Sequence, residues 1–342
     1  MDSQGTEQLL QRLANELGRG PAAELVTKLV QAGWQAPAIV ALLDELEEVS
    51  SKAARAAIEA LPDLDRRAGL AQVVSWLDLG VALAETSGAI ALKYFKDSPL
   101  ILGLIEQADA RAAILGIGLE MADQDANVTL EYLRASPQIL TVVPSTQLKP
   151  WLEISLELTK VDVVVGLEYI RQIPALVPVL PLSEVRSWLS YGMKLIAPNT
   201  IGKPDYITTI EFLRTSPAIL GAIEHTPVRT KVVALGALLA ERSPEVGIAW
   251  LAESPRLIRA LPTMDWQVKV LQYGLLLGEK DAEATLSYLR QCPEIIGLIG
   301  DGSNASLRFE NWFKAGMEVL AYSPEGARAY FAMESQKALS SV

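Results

Sequence analysis

The sequence predicts an all-α protein, an α-solenoid built from tandem helical hairpins of about 38 residues each. Three observations predict this fold. A box centred on proline recurs at a nearly constant interval, and a tryptophan marker recurs in phase with it. In addition, no segment between turn signals alternates apolar and polar residues as a half-buried strand would, so strands are not expected.

The box is an aromatic residue followed by an apolar residue, with a proline five positions after the aromatic, as in EYLRASPQIL at 131–140. Successive prolines lie 38, 37, 43, 38 and 38 residues apart. A seventh copy at 329–339 keeps the aromatic–apolar pair without the proline, and Pro62 is where a degenerate copy would begin the series. The six box prolines are Pro99, Pro137, Pro174, Pro217, Pro255 and Pro293.

The marker is a tryptophan four residues before a small residue, as in WLDLG at 76–80. Four residues are about one helical turn, so we expect the small residue on the same face of the first helix of each hairpin, helix A. There it would let a neighbouring helix approach closely. The small residues are Gly80, Gly118, Ser155, Gly192, Gly236, Gly274 and Gly316.

Each repeat is expected to contain a helix A, as over 149–159, and a helix B, as over 125–136. Because proline is disfavoured inside a helix and favoured at its first position, the box predicts a short third helix that begins at each proline. Segments 197–206 and 300–306 predict loop insertions. Four serines precede box prolines as expected N-caps: Ser98, Ser136, Ser216 and Ser254.

The N-terminal region does not carry the repeat clearly. We predict a small helical cap over residues 1–65 and a solenoid domain over 66–342. An acidic cluster in the cap fits either a solvated helix surface or a docking face for a basic partner. Its members are Asp44, Glu45, Glu47 and Glu48.

Composition excludes several classes of function. The chain has 30 lysines and arginines against 41 aspartates and glutamates, a net charge of −11, so it is expected to repel nucleic acid. One histidine and one cysteine exclude a histidine-rich metal site and an internal disulfide. With no signal-peptide pattern and no apolar run near the ~18 residues of a membrane span, we expect a cytoplasmic protein without membrane insertion.

The sequence lacks recognisable catalytic motifs. There is no P-loop, dinucleotide-binding, zinc-protease or nucleophile-elbow motif, so we expect neither enzymatic activity nor a cofactor. His225 is expected at the surface or at a helix cap, and Cys292, in the serine position of the box, as a small buried side chain. The alternative is an (α/α) toroid enzyme with a central pocket, since that fold also repeats helical hairpins.

One position of helix B is basic in five repeats, and we call this set the basic ladder. In a stacked array these cations would line one surface and could bind an acidic segment of a protein partner. The alternative is pairing within each helix, because Glu131, Glu168 and Glu211 lie three residues before three of the cations. The ladder consists of Lys96, Arg134, Arg171, Arg214 and Arg290. The box aromatics are interpreted as packing between repeats.

The WLxxG markers and AxxYLRxSPxIL boxes, closing on GARAYFAMESQKAL, resemble the helical repeat region of bacterial NorD/CoxE/CbbO-type proteins. The resemblance covers about residues 70–340. Proteins of that family carry a von Willebrand factor A (VWA) domain and work with MoxR-class AAA+ ATPases. This chain has no DxSxS metal-binding motif, so no metal-binding residue is carried over.

The resemblance implies a non-catalytic adaptor. Such a protein links a MoxR-class AAA+ ATPase to a client enzyme for activation or cofactor insertion. WLDLG also resembles the tetratricopeptide consensus, but the interval of about 38 residues exceeds the period of that repeat. We therefore interpret the repeat as similar in style to tetratricopeptide and HEAT repeats, with protein partners.

Overall fold

The computed structural model describes residues 3–198, 204–300 and 302–333, and there the chain folds into eighteen helices and two very short strands. The predicted all-α helical repeat is thereby confirmed. No helix in these ranges is both long and apolar enough to cross a membrane. The helices are α1 (Ser3–Leu17), α2 (Arg19–Gln31), α3 (Ala36–Val49), α4 (Ser51–Ala68), α5 (Val73–Thr86), α6 (Gly88–Gly103), α7 (Ala108–Ala122), α8 (Ala126–Leu140), α9 (Ser145–Val161), α10 (Val163–Leu176), α11 (Leu182–Lys194), α12 (Ile207–Gly221), α13 (Thr226–Arg242), α14 (Pro244–Arg259), α15 (Met264–Gly278), α16 (Ala282–Ile299), α17 (Ala305–Tyr322) and α18 (Pro324–Phe331).

The helices form successive hairpins, each an odd-numbered helix A followed by an even-numbered helix B. The box copies fall in seven hairpins, from α5–α6 to α17–α18, and residues 334–339 of the seventh copy lie outside the described ranges. The hairpin α3–α4 begins 37 residues before α5–α6 and contains Pro62. The predicted cap boundary at residue 65 lies inside α4, whose hairpin has the same layout as those that follow.

The chain divides into two compact units, Met1–Pro174 and Ala175–Val342, called here the N-terminal and the C-terminal unit. In the N-terminal unit, helix A of each hairpin packs on helix A of the next, through α3, α5, α7 and α9. Helix B likewise packs on helix B through α4, α6 and α8. In the C-terminal unit the same stacking joins α11, α13 and α15, and it joins α12, α14, α16 and α18. Stacking of like helices is the defining feature of helical repeats.

The short strands form an antiparallel pair in the first predicted insertion. Strand β1 (Ala197–Pro198) pairs with β2 (Pro204–Asp205), with Ala197 opposite Asp205. No strand was expected, and each of these strands has two residues, one fewer than the shortest ordinary strand. The pair closes the loop between α11 and α12, so the predicted insertion between helices is confirmed. Residues 199–203, within this insertion, lie outside the described ranges.

The prediction that each box proline begins a third helix is wrong. Helix α8, for example, runs without a break from Ala126 to Leu140 through Pro137. A proline in a helix interior costs ~3 kcal/mol because it removes a backbone hydrogen bond and clashes with the preceding turn. Burial beyond the proline, as at Ile139, offsets this cost. The other box prolines also lie inside B helices: Pro99, Pro174, Pro217, Pro255 and Pro293.

The serines that precede the prolines are not N-caps, contrary to the prediction, because no helix begins there. The Ser98 hydroxyl instead accepts a hydrogen bond of 2.7 Å from the Trp76 indole N–H. The Ser216 hydroxyl accepts an equivalent bond of 2.8 Å from Trp188. These bonds join helix B to the marker tryptophan of helix A. The other two serines donate to carbonyls of their own helix: Ser136 and Ser254.

The box aromatic is hydrogen-bonded to helix A of its own hairpin. In six hairpins the aromatic side chain donates to a backbone carbonyl that lies 18 residues earlier in the chain. The Tyr94 hydroxyl donates to the carbonyl of Trp76 at 2.9 Å, and the Trp250 indole donates to the carbonyl of Val232 at 3.0 Å. These aromatics therefore fill the interior of a hairpin rather than only the contact between repeats. The other pairs are Tyr132–Ile114, Tyr169–Trp151, Tyr288–Val270 and Tyr330–Trp312.

The small residue of helix A lies at a close contact, as predicted. A methyl group on Gly80 would overlap the ring of Phe95, which belongs to helix B of the same hairpin. A methyl group on Gly236 would overlap the ring of Tyr191, which belongs to helix A of the preceding hairpin. The glycine thus makes room for a buried aromatic ring, which compensates for its helix-propensity cost of ~1 kcal/mol.

Candidate interaction surface

The ladder cations of the N-terminal unit are exposed on α6, α8 and α10. Arg134 donates to Asp97 of the preceding hairpin at 2.6 Å and to Glu131 of its own helix at 2.9 Å. The predicted pairing within the helix is thus confirmed at this site. Arg171 contacts Glu131 of the preceding hairpin at 3.4 Å, whereas Lys96 has no ion-pair partner within the described ranges.

The ladder cations of the C-terminal unit are also exposed: Arg214 lies on α12 and Arg290 on α16. The Arg290 guanidinium bonds both carboxylate oxygens of Glu253 on α14, with its Nε at 2.9 Å, and this contact lowers the pKa of Glu253. Three ladder cations therefore connect B helices of successive hairpins. Whether the ladder also binds a partner stays a prediction.

A different surface emerges on the outer side of the A helices. In the N-terminal unit the marker positions are the two marker tryptophans and the isoleucines at the equivalent place in α3 and α7. All four are buried: Ile39, Trp76, Ile114 and Trp151. Because a helix turns once every 3.6 residues, positions two, six and nine residues after the marker lie on one stripe on the opposite side. None of the twelve residues at these positions in α3, α5, α7 and α9, or directly after α7 in the case of Asp123, is buried.

Eight of these twelve outer residues are carboxylates and one is a lysine, Lys160. We call this set the acidic face. Five of the carboxylates, Glu45, Glu48, Glu85, Glu120 and Asp123, are exposed and have no ion-pair partner among the residues that the structure describes. The other three are Asp78, Glu153 and Glu157.

The acidic cluster predicted in the cap contains paired and unpaired members, and its role as a docking face stays a prediction. Asp44 and Glu47 form ion pairs with Arg12 of α1, so they serve packing between the first hairpins. Glu45 and Glu48 point away from that contact and are exposed. These two residues form the first row of the acidic face.

The same outer positions of the C-terminal unit carry a different set of side chains. The described positions hold three carboxylates, two lysines and two leucines. One of the carboxylates, Glu241, pairs with Lys194 at 2.6 Å. The difference extends to the whole sequence of each unit: residues 1–174 contain 14 basic and 24 acidic side chains, a net −10, whereas 175–342 contain 16 and 17, a net −1.

The single histidine and cysteine lie where expected. His225 is the residue before α13, with its side chain about half exposed at 44%. Cys292 is fully buried in α16, and burial raises the pKa of its thiol, so the side chain acts as a small apolar group. The described residues contain no group of three or more histidine, cysteine, aspartate or glutamate side chains that could hold a metal ion.

Two depressions lie at the edge where a helix B connects to the next helix A. One of about 350 Å³ is bordered by Leu104 and Pro137, and one of about 400 Å³ by His225 and Pro255. They occupy equivalent places in the two units, because each lies between successive B-to-A connections. The second also contains Glu224, whose carboxylate lies 3.8 Å from Nε2 of His225, with both side chains exposed.

Sequence reasoning found the ladder but missed the acidic face. The signal was present, since the face follows from applying the repeat register to helix A and reading the positions two, six and nine residues after the marker. The sequence pattern indicates only the first row, as a cluster in the cap. In comparisons with known proteins, no family model, curated protein or solved structure matches this chain.

Proposed function

We propose that this protein is a non-catalytic interaction scaffold whose acidic face binds a basic segment of a partner protein. The observation that carries the proposal is the in-register set of outer carboxylates on α3, α5, α7 and α9. Buried positions of the repeat hold the hairpins together and are similar in both units. The outer positions are not buried between hairpins, and in the N-terminal unit eight of the twelve are carboxylates.

The acidic face lowers the free energy of unfolding of the chain when no partner is bound. Several of its carboxylates are neighbours one turn apart, such as Glu45 with Glu48 and Glu120 with Asp123. Like charges at this spacing destabilise a helix by ~0.2–0.5 kcal/mol per pair. A basic partner would remove this repulsion and would be steered toward the face before contact.

The spacing of the acidic face supports a specific kind of partner. Neighbouring packed helices lie ~8–10 Å apart, so the rows of carboxylates repeat at about that distance. Seven residues of a helix advance about 10.5 Å, so lysines or arginines at every seventh position of a partner helix would match the rows. A lysine-rich amphipathic helix is therefore the partner of best fit.

The resemblance to NorD/CoxE/CbbO-type proteins supports a more specific form of this proposal. In that form the partner is a MoxR-class AAA+ ATPase, and the scaffold connects it to a client enzyme for activation or cofactor insertion. The test is sedimentation of the purified chain with the purified ATPase of the same organism. Co-sedimentation at low salt that is lost at high salt supports this form, and independent sedimentation at both salt concentrations contradicts it.

The binding proposal itself is tested with a defined probe. A fluorescent lysine-rich helical peptide is titrated into the full chain and into the variant E45Q/E85Q/E120Q. The control variant E241Q/E279Q/E318Q removes three charges from the outer positions of the C-terminal unit. We expect a tenfold or greater loss of affinity in the first variant and less than a twofold change in the control; equal losses would assign the binding to net charge alone.

A further inference from the structure

The first of the two depressions has a largely apolar lining and an exposed leucine at its edge. We call this depression of about 350 Å³ the Leu104 groove. Leu104 is the C-cap residue of α6 and is 63% exposed, and Leu100, one helical turn earlier, is also exposed. The other apolar residues that line the groove are Ile105, Pro137, Leu140, Val143 and Pro144.

The wall that carries Leu104 is held in place by hydrogen bonds. The Leu104 amide donates to the carbonyls of Leu100 and Ile101, both at 3.2 Å. The next residue, Ile105, is buried, and its carbonyl accepts a bond of 2.8 Å from the Arg111 guanidinium of α7. Because these bonds form without a partner, a side chain that enters the groove does not have to order this wall first.

The groove lies beside the acidic face. Asp109 of α7 precedes Gly116 by seven residues, so it lies on the same outer stripe, about 10.5 Å along the helix. Asp109 and Glu106 are exposed, and neither has an ion-pair partner among the residues that the structure describes. Glu106 also lines the groove. Carboxylates therefore continue from the acidic face to the edge of the Leu104 groove.

The equivalent depression of the C-terminal unit differs in chemistry. The position of Leu104, five residues after the box proline, is there occupied by Ala222. Arg259 and His225 line this second depression, whereas none of the described residues that line the Leu104 groove is basic. A basic segment with an apolar side chain is therefore complementary to the Leu104 groove, and Arg259 would repel it from the second depression.

We infer that the Leu104 groove receives an apolar side chain of the same basic segment that binds the acidic face, an inference that rests on the function proposed above. The carboxylates attract the lysines or arginines of the segment. A leucine or phenylalanine that flanks them then leaves water by packing against Leu104, Pro137 and Leu140. This apolar contact is not screened by salt, and it selects among basic partners by sequence.

Two peptides separate the groove from the acidic face. Both contain the lysine-rich helix with a short flexible extension at each end; one has serine in each extension and the other has leucine. We expect the leucine peptide to bind the full chain about tenfold more tightly, because burial of one leucine side chain contributes at least that factor. Leu104→Ser should abolish this gain and should leave the affinity for the serine peptide unchanged.

Two further variants serve as controls. Leu298→Ser removes the exposed leucine at the equivalent position of α16, five residues after its box proline, and should change neither affinity. The variant E45Q/E85Q/E120Q should weaken the binding of both peptides and preserve the ratio of their affinities.

The outcomes distinguish failure of the groove from failure of the acidic face. Equal affinities of the two peptides for the parent, or a gain that persists in Leu104→Ser, would overturn the groove inference and leave the acidic face as proposed. Absence of binding by both peptides would contradict the acidic face itself, and the groove inference with it.

Discussion

In the N-terminal unit the outer positions of the A helices carry eight carboxylates and one lysine, whereas in the C-terminal unit the described equivalents carry three carboxylates and two lysines. The buried positions show no such contrast. Both units use a marker tryptophan, a small residue one turn later and a box aromatic that bonds a helix A carbonyl. One interior therefore supports two surfaces of different charge.

This difference separates the residues that specify the fold from those available for binding. Interior positions are constrained by ring volume and by hydrogen bonds that must be satisfied without water. Outer positions are constrained by neither. A charge bias that recurs at outer positions in four successive hairpins of one unit, and not in the other, is the feature of the surface that packing does not explain.

The largest expected effect is on the shared interior. Gly236→Leu should lower the free energy of unfolding by about 3 kcal/mol or more, since its side chain would occupy the space of the Tyr191 ring. Gly118→Leu should cost less, about 1–3 kcal/mol, because the nearest group is the flexible end of Leu79. Urea unfolding measures both.

An outer glycine gives the matched control. Gly116 lies at an outer position of α7 and has open space where a side chain would project. Gly116→Ala should stabilise the chain by up to about 1 kcal/mol through helix propensity. Destabilisation by Gly116→Ala would show that the outer side of α7 is in contact with other parts of the chain.

Removal of the serine that bonds the marker tryptophan should have the next largest effect. Ser98→Ala leaves the buried Trp76 N–H without an acceptor and should cost about 1–3 kcal/mol. Ser254→Ala removes a donor to a carbonyl of its own helix and should cost less than about 1 kcal/mol. Thermal unfolding of the two variants distinguishes these roles, and equal shifts would contradict them.

The ion pairs between hairpins should make stability fall at low pH. Arg290 lowers the pKa of Glu253; for Asp281, burial acts to raise the pKa, but Arg328 and the Ala284 amide lower it overall. A carboxylate whose pKa is lower in the folded than in the unfolded state stabilises the protein at pH values above its unfolded pKa of about 4. This stabilisation is lost as the pH falls through the folded pKa. In Arg290→Gln the free energy of unfolding should therefore depend less on pH below about pH 4. An unchanged pH profile would show that the pair contributes nothing.

The smallest expected effect on stability is at the acidic face. The variant E45Q/E85Q/E120Q should unfold within about 0.5 kcal/mol of the parent, or be slightly more stable, because exposed charges contribute little and these repel one another. Circular dichroism during urea unfolding measures this. A loss above about 1 kcal/mol would assign these residues to the fold.

The sequence predicted the hairpins well and the role of the proline badly. Periodicity located helices A and B because seven copies repeat the same buried pattern. The prediction from local helix-capping preferences was wrong for Ser136 and Pro137, because a serine–proline pair considered in isolation favours the start of a helix. Tertiary burial on both sides of the proline overrides that preference.

The surfaces were predicted in part. The ladder position follows from the box register, and the structure shows what the sequence could not, namely that Arg134 and Arg290 reach acidic residues of the preceding hairpin. These contacts depend on how neighbouring hairpins stack, and no spacing of residues within one helix predicts that stacking. The acidic face needed the register of helix A, which is weak in the hairpins where the marker is not tryptophan, as at Ile114.

Zero-length carbodiimide cross-linking identifies the carboxylates that bind the lysine-rich peptide, because it joins peptide lysines only to carboxylates in contact with them. We expect cross-links concentrated on Glu45, Glu48, Glu85, Glu120 and Asp123, and we expect these cross-links to disappear at high salt. Cross-links concentrated on Asp97 and Glu131 of the B helices, or on the C-terminal unit, would contradict this expectation.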